Sequence, residues 1–548
     1  MRSLNRVVYL STLAVFLIQC NPNLATSTTS SGITLQITER SLWYFASLAE
    51  RLIPQILNNV SVPQMIGFGY EVAALTVYDV TQPRVRAGFV DDSGILAKAT
   101  LEHMKIIANY SVGFGWTSSS GQIEGNLKGL NLTALIAIRQ GRSSEPHFDI
   151  VSCTSNITDI ALEFKGSWAS FVGNSVSDII SWYIKDYLSG MLCALFRNAT
   201  MEPEPSSAMV ANESNPEDEP SYCETHDAYT NVGGPVAINQ GETGSDFSVN
   251  FSLNHEPFFS RKTAALFLNG SILYTGTKRQ IYRAPPVQVR SVPIYHTSNA
   301  DYMIRVTITD YVGNSFFNHV FKYNMAIVNK TVSARKLPKM LWGAAGYFCR
   351  NCQALVQGGM TAPPELSIEP GRGVRLGIHG WIRSMLYAFY RRTELFQVKT
   401  LLGVNVYPYV LNQRLFADTL LHDIRINTRD ARGSLSKVFG FSMKGLVGVL
   451  KTFLPAQIRP PVQRDLRRVF GRSGGGMPLP AFCGLSFVRP KIHYVRDALV
   501  IDMDLRYDTR PLVQMLRQII ETGGQSKITD AASTQLKHQR ERQRERLR

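Results

Sequence analysis

Beyond residue 20 the chain has no apolar run of the roughly 20 residues that a membrane-spanning helix needs. Nothing after that point reads as a span. Its 10 histidines include no His-Glu-x-x-His and no paired metal spacing, which argues against a zinc hydrolase. Only Gly440-Phe-Ser-Met-Lys-Gly445 approaches a nucleophile elbow, and its second glycine falls one place late. Ser442 also lies in a helical run rather than after a strand, so the segment gives no lipase reading. Cysteine is sparse, at 7 in 548 residues. Cys349-Arg-Asn-Cys352 has redox spacing but no second pair or βαβ context, so disulfide use is the better reading. Charged residues make up 18% against 44% hydrophobic, the balance of a globular chain rather than a disordered one. The length allows about two to four domains. No catalytic residue, metal, cofactor or nucleic-acid partner is expected.

What is present first is an export signature. Arg2 and Arg6 precede an apolar run over 7–18 that is too short to span, the charge order of a signal peptide, expected over 1–27. The product is then secreted and extracellular. Six cysteines remain after cleavage, Cys153, Cys193, Cys223, Cys349, Cys352 and Cys483, an even count suited to disulfides. Sequons stand at Asn59, Asn109, Asn131, Asn156, Asn198, Asn212, Asn250, Asn269 and Asn329, and several are expected to carry glycan. Charge divides the chain. Residues 1–256 hold 14 basic and 25 acidic side chains, net −11, and residues 257–548 hold 44 and 17, net +27. That asymmetry points the basic half toward an anionic membrane or glycolipid surface, or else serves solubility alone.

Thr38 sits where it can cap a helix whose apolar positions Leu42, Phe45, Ala49, Leu52 and Ile56 recur at steps of three and four. Pro54 is expected to kink or end it. Over 67–165 the pattern changes to short alternating runs, with a hairpin tip at Ser118-Ser-Ser-Gly121. A long helix follows over 167–196, with Trp168, Val176, Ile179 and Tyr183 on one stripe and Cys193 near its end; Cys153 ends the strand before it. Residues 201–224, rich in Glu, Pro, Ser and Asn, read as a flexible acidic insertion. A strand pattern over 247–253 leads to a basic segment containing Pro285-Pro286, taken as a linker over 256–297. The second half repeats this grammar. Ile304, Val306 and Ile308 alternate before a helix over 310–323, and short strands run to about residue 427. An amphipathic stretch over 434–471 is interrupted by Pro455, Pro460 and Pro461. Gly476-Met-Pro-Leu-Pro480 then turns the chain into a closing strand pair. A short helix over 511–523 reads either as ordinary packing against the central sheet or as a lid over a tunnel mouth, and the basic clusters Arg391-Arg392, Arg464, Arg467-Arg468 and Arg472 precede a disordered basic tail over 525–548. Two related α+β domains are expected, over 32–255 and 298–524, although identity between the halves is too weak to prove a repeat.

Four features together resemble the family of bactericidal permeability-increasing protein, lipopolysaccharide-binding protein and the plasma lipid transfer proteins. They are Gly32-Ile-Thr-Leu before the first helix, the Cys153 and Cys193 pair around the long helix, the proline-containing linker, and Gly476-Met-Pro-Leu-Pro480. The resemblance implies a two-barrel boomerang, each barrel a twisted antiparallel sheet wrapped on a long amphipathic helix, with a central sheet joining them. It implies a Cys153 to Cys193 disulfide, leaving the pairing of the other four cysteines open. It also implies that Leu42, Phe45, Leu52, Ile56, Trp168, Val176, Ile179 and Tyr183 line apolar tunnels holding phospholipid or a similar lipid, without enzymatic chemistry. The alternative is an innate-defence protein binding lipopolysaccharide or another anionic glycolipid. The acidic amino-terminal half departs from the basic tip of the bactericidal members.

Overall fold

The computed structural model describes residues 28–166, 235–274, 292–333, 353–432 and 443–508, with gaps inside these ranges, and a few positions between 181 and 193. At the centre lies a six-stranded antiparallel sheet in the order Phe258–Ser260, Thr263–Leu268, Ile33–Thr38, Ile304–Thr309, Ala498–Tyr507, Leu485–Val495. Its two middle strands come from opposite halves of the chain, with Leu35 opposite Val306 and Ile37 opposite Ile304. Each runs directly into a helix: Ile33–Thr38 into α1, Glu39–Leu57, and Ile304–Thr309 into α2, Asp310–Lys322. The same unit, a strand of alternating aliphatics ending in Thr before an acidic first helical residue, therefore occurs twice. The two copies face each other antiparallel.

The threonines closing these strands do not cap their helices with their side chains. Thr38 Oγ1 instead donates to the carbonyls of Tyr302 (2.9 Å) and Met303 (3.0 Å), and Thr309 Oγ1 donates to that of Gly32 (3.0 Å). Each hydroxyl thus ties one half to the other. Buried donors require a partner, and here the facing strand supplies it before the helix can. One face of the sheet carries Ile33, Leu35, Val306, Ile308, Ile501 and Met503 into the main apolar cluster. The opposite face mixes buried polar groups with a small apolar cluster of Ala265, Phe267 and Phe258. Arg305 donates from Nε and Nη2 to the two carboxylate oxygens of Asp502 at 2.7 and 3.0 Å, which explains how the alternating polar positions of the last strand can lie inside.

Outside the centre stand two larger antiparallel sheets. In the first, Gly94–Phe114, Thr117–Gln140 and Pro146–Gly166 form a long three-stranded ribbon. The runs expected to be short are continuous, and the expected tip Ser118-Ser-Ser-Gly121 lies within a strand, because pairing extends to Phe114 opposite Thr117. Packing accounts for the glycines there. A Cβ on Gly121 would run into the Lys165 carbonyl and the Tyr110 ring, and one on Gly125 would lie 2.5 Å from Ile106 Cγ1. The second sheet is built mainly on Gly373–Ala388, Arg391–Leu411 and Arg414–Arg432. Along it lies α3, Met443–Phe470, a single helix through Pro455, Pro460 and Pro461 where an interruption was expected. Each interior proline removes a backbone donor, at a cost of about 3 kcal/mol. Burial opposes that cost. Val462, Leu466 and Phe470 pack on the main cluster, and Gln463 accepts from Leu421 N (2.8 Å) and donates to the Thr419 carbonyl.

Among the described residues the segment expected as a linker holds four strands, Phe258–Ser260, Thr263–Leu268, Ile272–Tyr274 and Val292–Pro293, and all of Thr263–Leu268 is buried. Its basic composition masked an apolar core strand. The acidic insertion, the terminal helix, the basic tail and the expected signal peptide lie outside the described residues.

Candidate functional site

The candidate site is the apolar interior of the first sheet together with α1, which leads into it. Inward positions of the long ribbon alternate as the period of two requires. They bring Leu101, Met104, Ile106, Ala108 and Tyr110 from one strand against Ile123, Leu127 and Leu130 from the next, and Ile157, Ile160 and Phe164 from the third. Val72 and Val77 from neighbouring short strands extend the lining. Ile184, one of the described positions in the helical segment after the ribbon, is 2% exposed and belongs to the same cluster.

α1 spans two apolar bodies. Leu42 is buried in the main cluster, with Tyr44 and Phe45 packed against it, while Leu57 and Ile53 one helix length away join the ribbon cluster. Leu52 is buried between. Pro54 does not break this arrangement. The helix ends one turn later, where Asn58 N donates to the Pro54 carbonyl at 3.0 Å. The end of α1 nearer the central sheet is fixed by aromatics: Phe45 meets Tyr44 edge-on at 5.6 Å and Tyr507 at 6.4 Å, and Tyr507 N donates to Tyr44 Oη at 2.9 Å. Burial pushes the Tyr507 phenol above its ordinary pKa, with Asp508 adding to the rise.

Of the eight residues expected to line a tunnel, the structure places Leu42, Phe45 and Leu52 on apolar faces of α1. Ile56 lies on the same helix with its side chain outside the described residues, and Trp168, Val176, Ile179 and Tyr183 are outside them altogether. Sequence reasoning missed the ribbon itself. Ile106, Ile123, Leu127, Ile157 and Phe164 alternate with polar neighbours over more than one full strand, and that alternation was the available signal. Cys153 and Cys193 are joined by a disulfide, Cα to Cα 5.7 Å, with both residues packed against the ribbon cluster. The bond pins the helical segment to the strand Pro146–Gly166.

Polar chemistry inside this interior is sparse. Tyr110 packs edge-on against Phe164 at 5.6 Å, and its buried hydroxyl has no hydrogen-bond partner among the described residues. Among the described residues no three His, Cys, Asp or Glu side chains gather to hold a metal ion, and no helix is long and apolar enough to cross a membrane. Such an interior can exchange apolar surface for hydrocarbon, at about 0.8 kcal/mol per methylene buried, and offers little else. α3 exposes Arg459, Arg464 and Arg467 to solvent, and Arg472 is exposed just beyond its end.

Comparison with known proteins agrees with this architecture. The chain matches the LBP / BPI / CETP family, N-terminal domain, over residues 45–201 and the C-terminal domain of the same family over 242–507. It is 22% identical over 529 residues to nose resistant to fluoxetine protein 5 of Caenorhabditis elegans, covering 87% of this chain and 90% of that protein. It is 20% identical to bactericidal permeability-increasing protein of Sebastes schlegelii, covering 87% and 95%. With human BPI fold-containing family C protein it shares 22% identity over 87% and 89%. The crystal structure of lipopolysaccharide binding protein superposes with a TM-score of 0.51 at 14% identity over 88% of this chain and all of that one, a likeness of fold alone. With the two domain matches covering the ribbon, five of the six strands of the central sheet and the second sheet in order, the chain belongs to the LBP / BPI / CETP family, whose members are non-enzymatic lipid-binding proteins.

Proposed function

We propose that this protein is a secreted carrier that holds phospholipid-like amphiphiles by their acyl chains and moves them between surfaces. Family membership supplies lipid binding or transfer as the general activity. The observation that carries the finer reading is α1, whose apolar face is shared between the main cluster and the ribbon interior. A helix of that kind is a wall that one flexible chain can line on one side while protein core holds it on the other. Acyl chains then replace core atoms while the headgroup stays near water, and no bond is made or broken. The arginines along α3, with a net charge of +27 over residues 257–548, supply an attraction for anionic surfaces.

The test is transfer of a fluorescent phosphatidylcholine from donor to acceptor vesicles by secreted protein. Transfer that saturates with protein and leaves the lipid chemically intact supports the reading. Binding to lipopolysaccharide aggregates that weakens steeply with salt, in the absence of phospholipid transfer, would favour the defence alternative. Release of fatty acid would contradict both.

A further inference from the structure

Each outer sheet ends in a strand that, among the described residues, pairs on one side only. Pro146–Gly166 pairs with Thr117–Gln140, and Val328–Ser333 pairs with Gln353–Met360. Unpaired strand edges are templates for pairing with a second molecule. Both edges also have exposed apolar side chains nearby: Val151 is 48% exposed on the first, and Met325 and Ile327 are 39% and 51% exposed just before the second. Neither edge strand is blunted by proline beyond its first residue.

What both edge strands do carry is a sequon, Asn156-Ile-Thr158 on the first and Asn329-Lys-Thr331 on the second. In each the asparagine and the threonine are exposed on the same face. Two other sequons are situated differently. Asn250 and Asn269 are half-buried beside the central sheet, and their Oδ1 atoms accept from Ser252 N (2.9 Å) and Ser271 N (3.0 Å). Asn269 Nδ2, the atom a glycan would occupy, donates to Asn254 Oδ1 at 3.1 Å.

We propose that Asn156 and Asn329 carry N-linked glycans that guard the two sheet edges against self-association, while Asn250 and Asn269 stay unmodified. This rests on the export reading, since the donor is a polyprenyl-pyrophosphate-linked oligosaccharide of the secretory pathway. In the transfer, a bond forms between Asn Nδ2 and the anomeric carbon as the bond from that carbon to the pyrophosphate oxygen breaks; the amide loses one proton and polyprenyl pyrophosphate leaves. A bulky, hydrated chain on an edge strand blocks approach of a second strand. Asn109 is also exposed, but its strand Gly94–Phe114 is paired on both sides, so a glycan there covers a face rather than an edge.

The experiment is peptide mapping of protein from the culture medium of a eukaryotic host, after enzymatic deglycosylation in heavy-oxygen water. Labelled aspartate is expected at 156 and 329 and none at 250 and 269. Protein in the medium that is bare at Asn156 or Asn329, or labelled at Asn250 or Asn269, overturns the proposal and leaves export standing. Protein retained unmodified in the cytosol overturns both. Function as a guard is read by light scattering on a sizing column. Asn156→Gln with Asn329→Gln should shift the monomer toward higher oligomers as concentration rises, whereas Asn109→Gln should not. If the double variant is not secreted, deglycosylation of folded native protein replaces it. A native protein that stays monomeric after both glycans are removed refutes the guarding role.

Discussion

Removing the carboxylate of Asp502 tests whether the two halves are joined through the buried polar groups of the central sheet. Asp502 and Arg305 come from strands almost 200 residues apart, and their side chains are only 10% and 12% exposed. The guanidinium lies over the Tyr302 ring at 4.3 Å, and His493 Nε2 approaches the same carboxylate at 3.5 Å. Asp502→Ala leaves the Arg305 charge buried without that carboxylate, a change that costs about 3 to 5 kcal/mol. An exposed pair gives the comparison: Arg261 and Asp91, 86% and 51% exposed, should yield at most about 1 kcal/mol when Asp91 is removed. The assay is urea unfolding followed by tryptophan fluorescence and far-ultraviolet dichroism, read as midpoints because so large a chain need not unfold in one step. Asp502→Ala should lower the midpoint far more than Asp91→Ala. Replacing both partners, Arg305→Met with Asp502→Leu, should recover most of the loss. An Asp502→Ala midpoint no lower than that of Asp91→Ala would refute the buried-joint argument.

Other substitutions probe other parts of the account. His319 is 2% exposed and its Nε2 lies 2.9 Å from the Ile272 carbonyl; burial holds its pKa below the ordinary value, with Lys322 adding to the depression. Because the unfolded imidazole then binds a proton first, stability is full above about pH 6.5 and falls as pH drops from there toward the depressed folded value. His319→Gln should flatten that acid loss in a pH series of melting temperatures. Tyr110→Phe removes a buried hydroxyl without a partner among the described residues and should leave the melting temperature unchanged or raise it, by up to about 1 kcal/mol of stability; a marked fall would show that the hydroxyl has a role. Gly121→Ala places a methyl against the Lys165 carbonyl and should reduce the secreted yield of folded protein. Cys153→Ser opens a loop with a sequence separation of 40, worth about 4 kcal/mol in the chain-entropy view, and should impair secretion.

The sequence was most legible where one face is buried and the other is not. Leu42, Phe45 and Leu52 stand at helical spacing, and α1 forms with an apolar face as that spacing requires. Alternation likewise marked Ile304, Val306 and Ile308 as a strand and residues 310–323 as a helix, close to α2 as found. Legibility failed where local chemistry was overruled from a distance. Pro455, Pro460 and Pro461 argue for breaks, yet tertiary packing through Val462, Leu466 and Phe470 carries α3 past them. Ser118 and Gly121 suggested a turn, whereas Gly121 serves the close approach of Tyr110 and the neighbouring strand. Thr263–Leu268 was hidden because a fully buried strand has no alternation to display. The pairing of Ile33–Thr38 with Ile304–Thr309 had a faint trace, Ile-Thr-Leu-Gln-Ile-Thr-Glu against Ile-Arg-Val-Thr-Ile-Thr-Asp. Seven residues are too few to establish a repeat before the strands are seen side by side.

Native mass spectrometry of the protein as secreted, followed by denaturation and lipid extraction, tests the carrier reading most directly. The account predicts a folded species heavier than the glycosylated polypeptide by the mass of one or more acyl-chain lipids, which are released intact on denaturation. It also predicts that introducing Ile53→Asp, at the junction of α1 with the ribbon, lowers bound lipid per folded molecule. Folded protein that carries no lipid, and takes up none from vesicles, would contradict it.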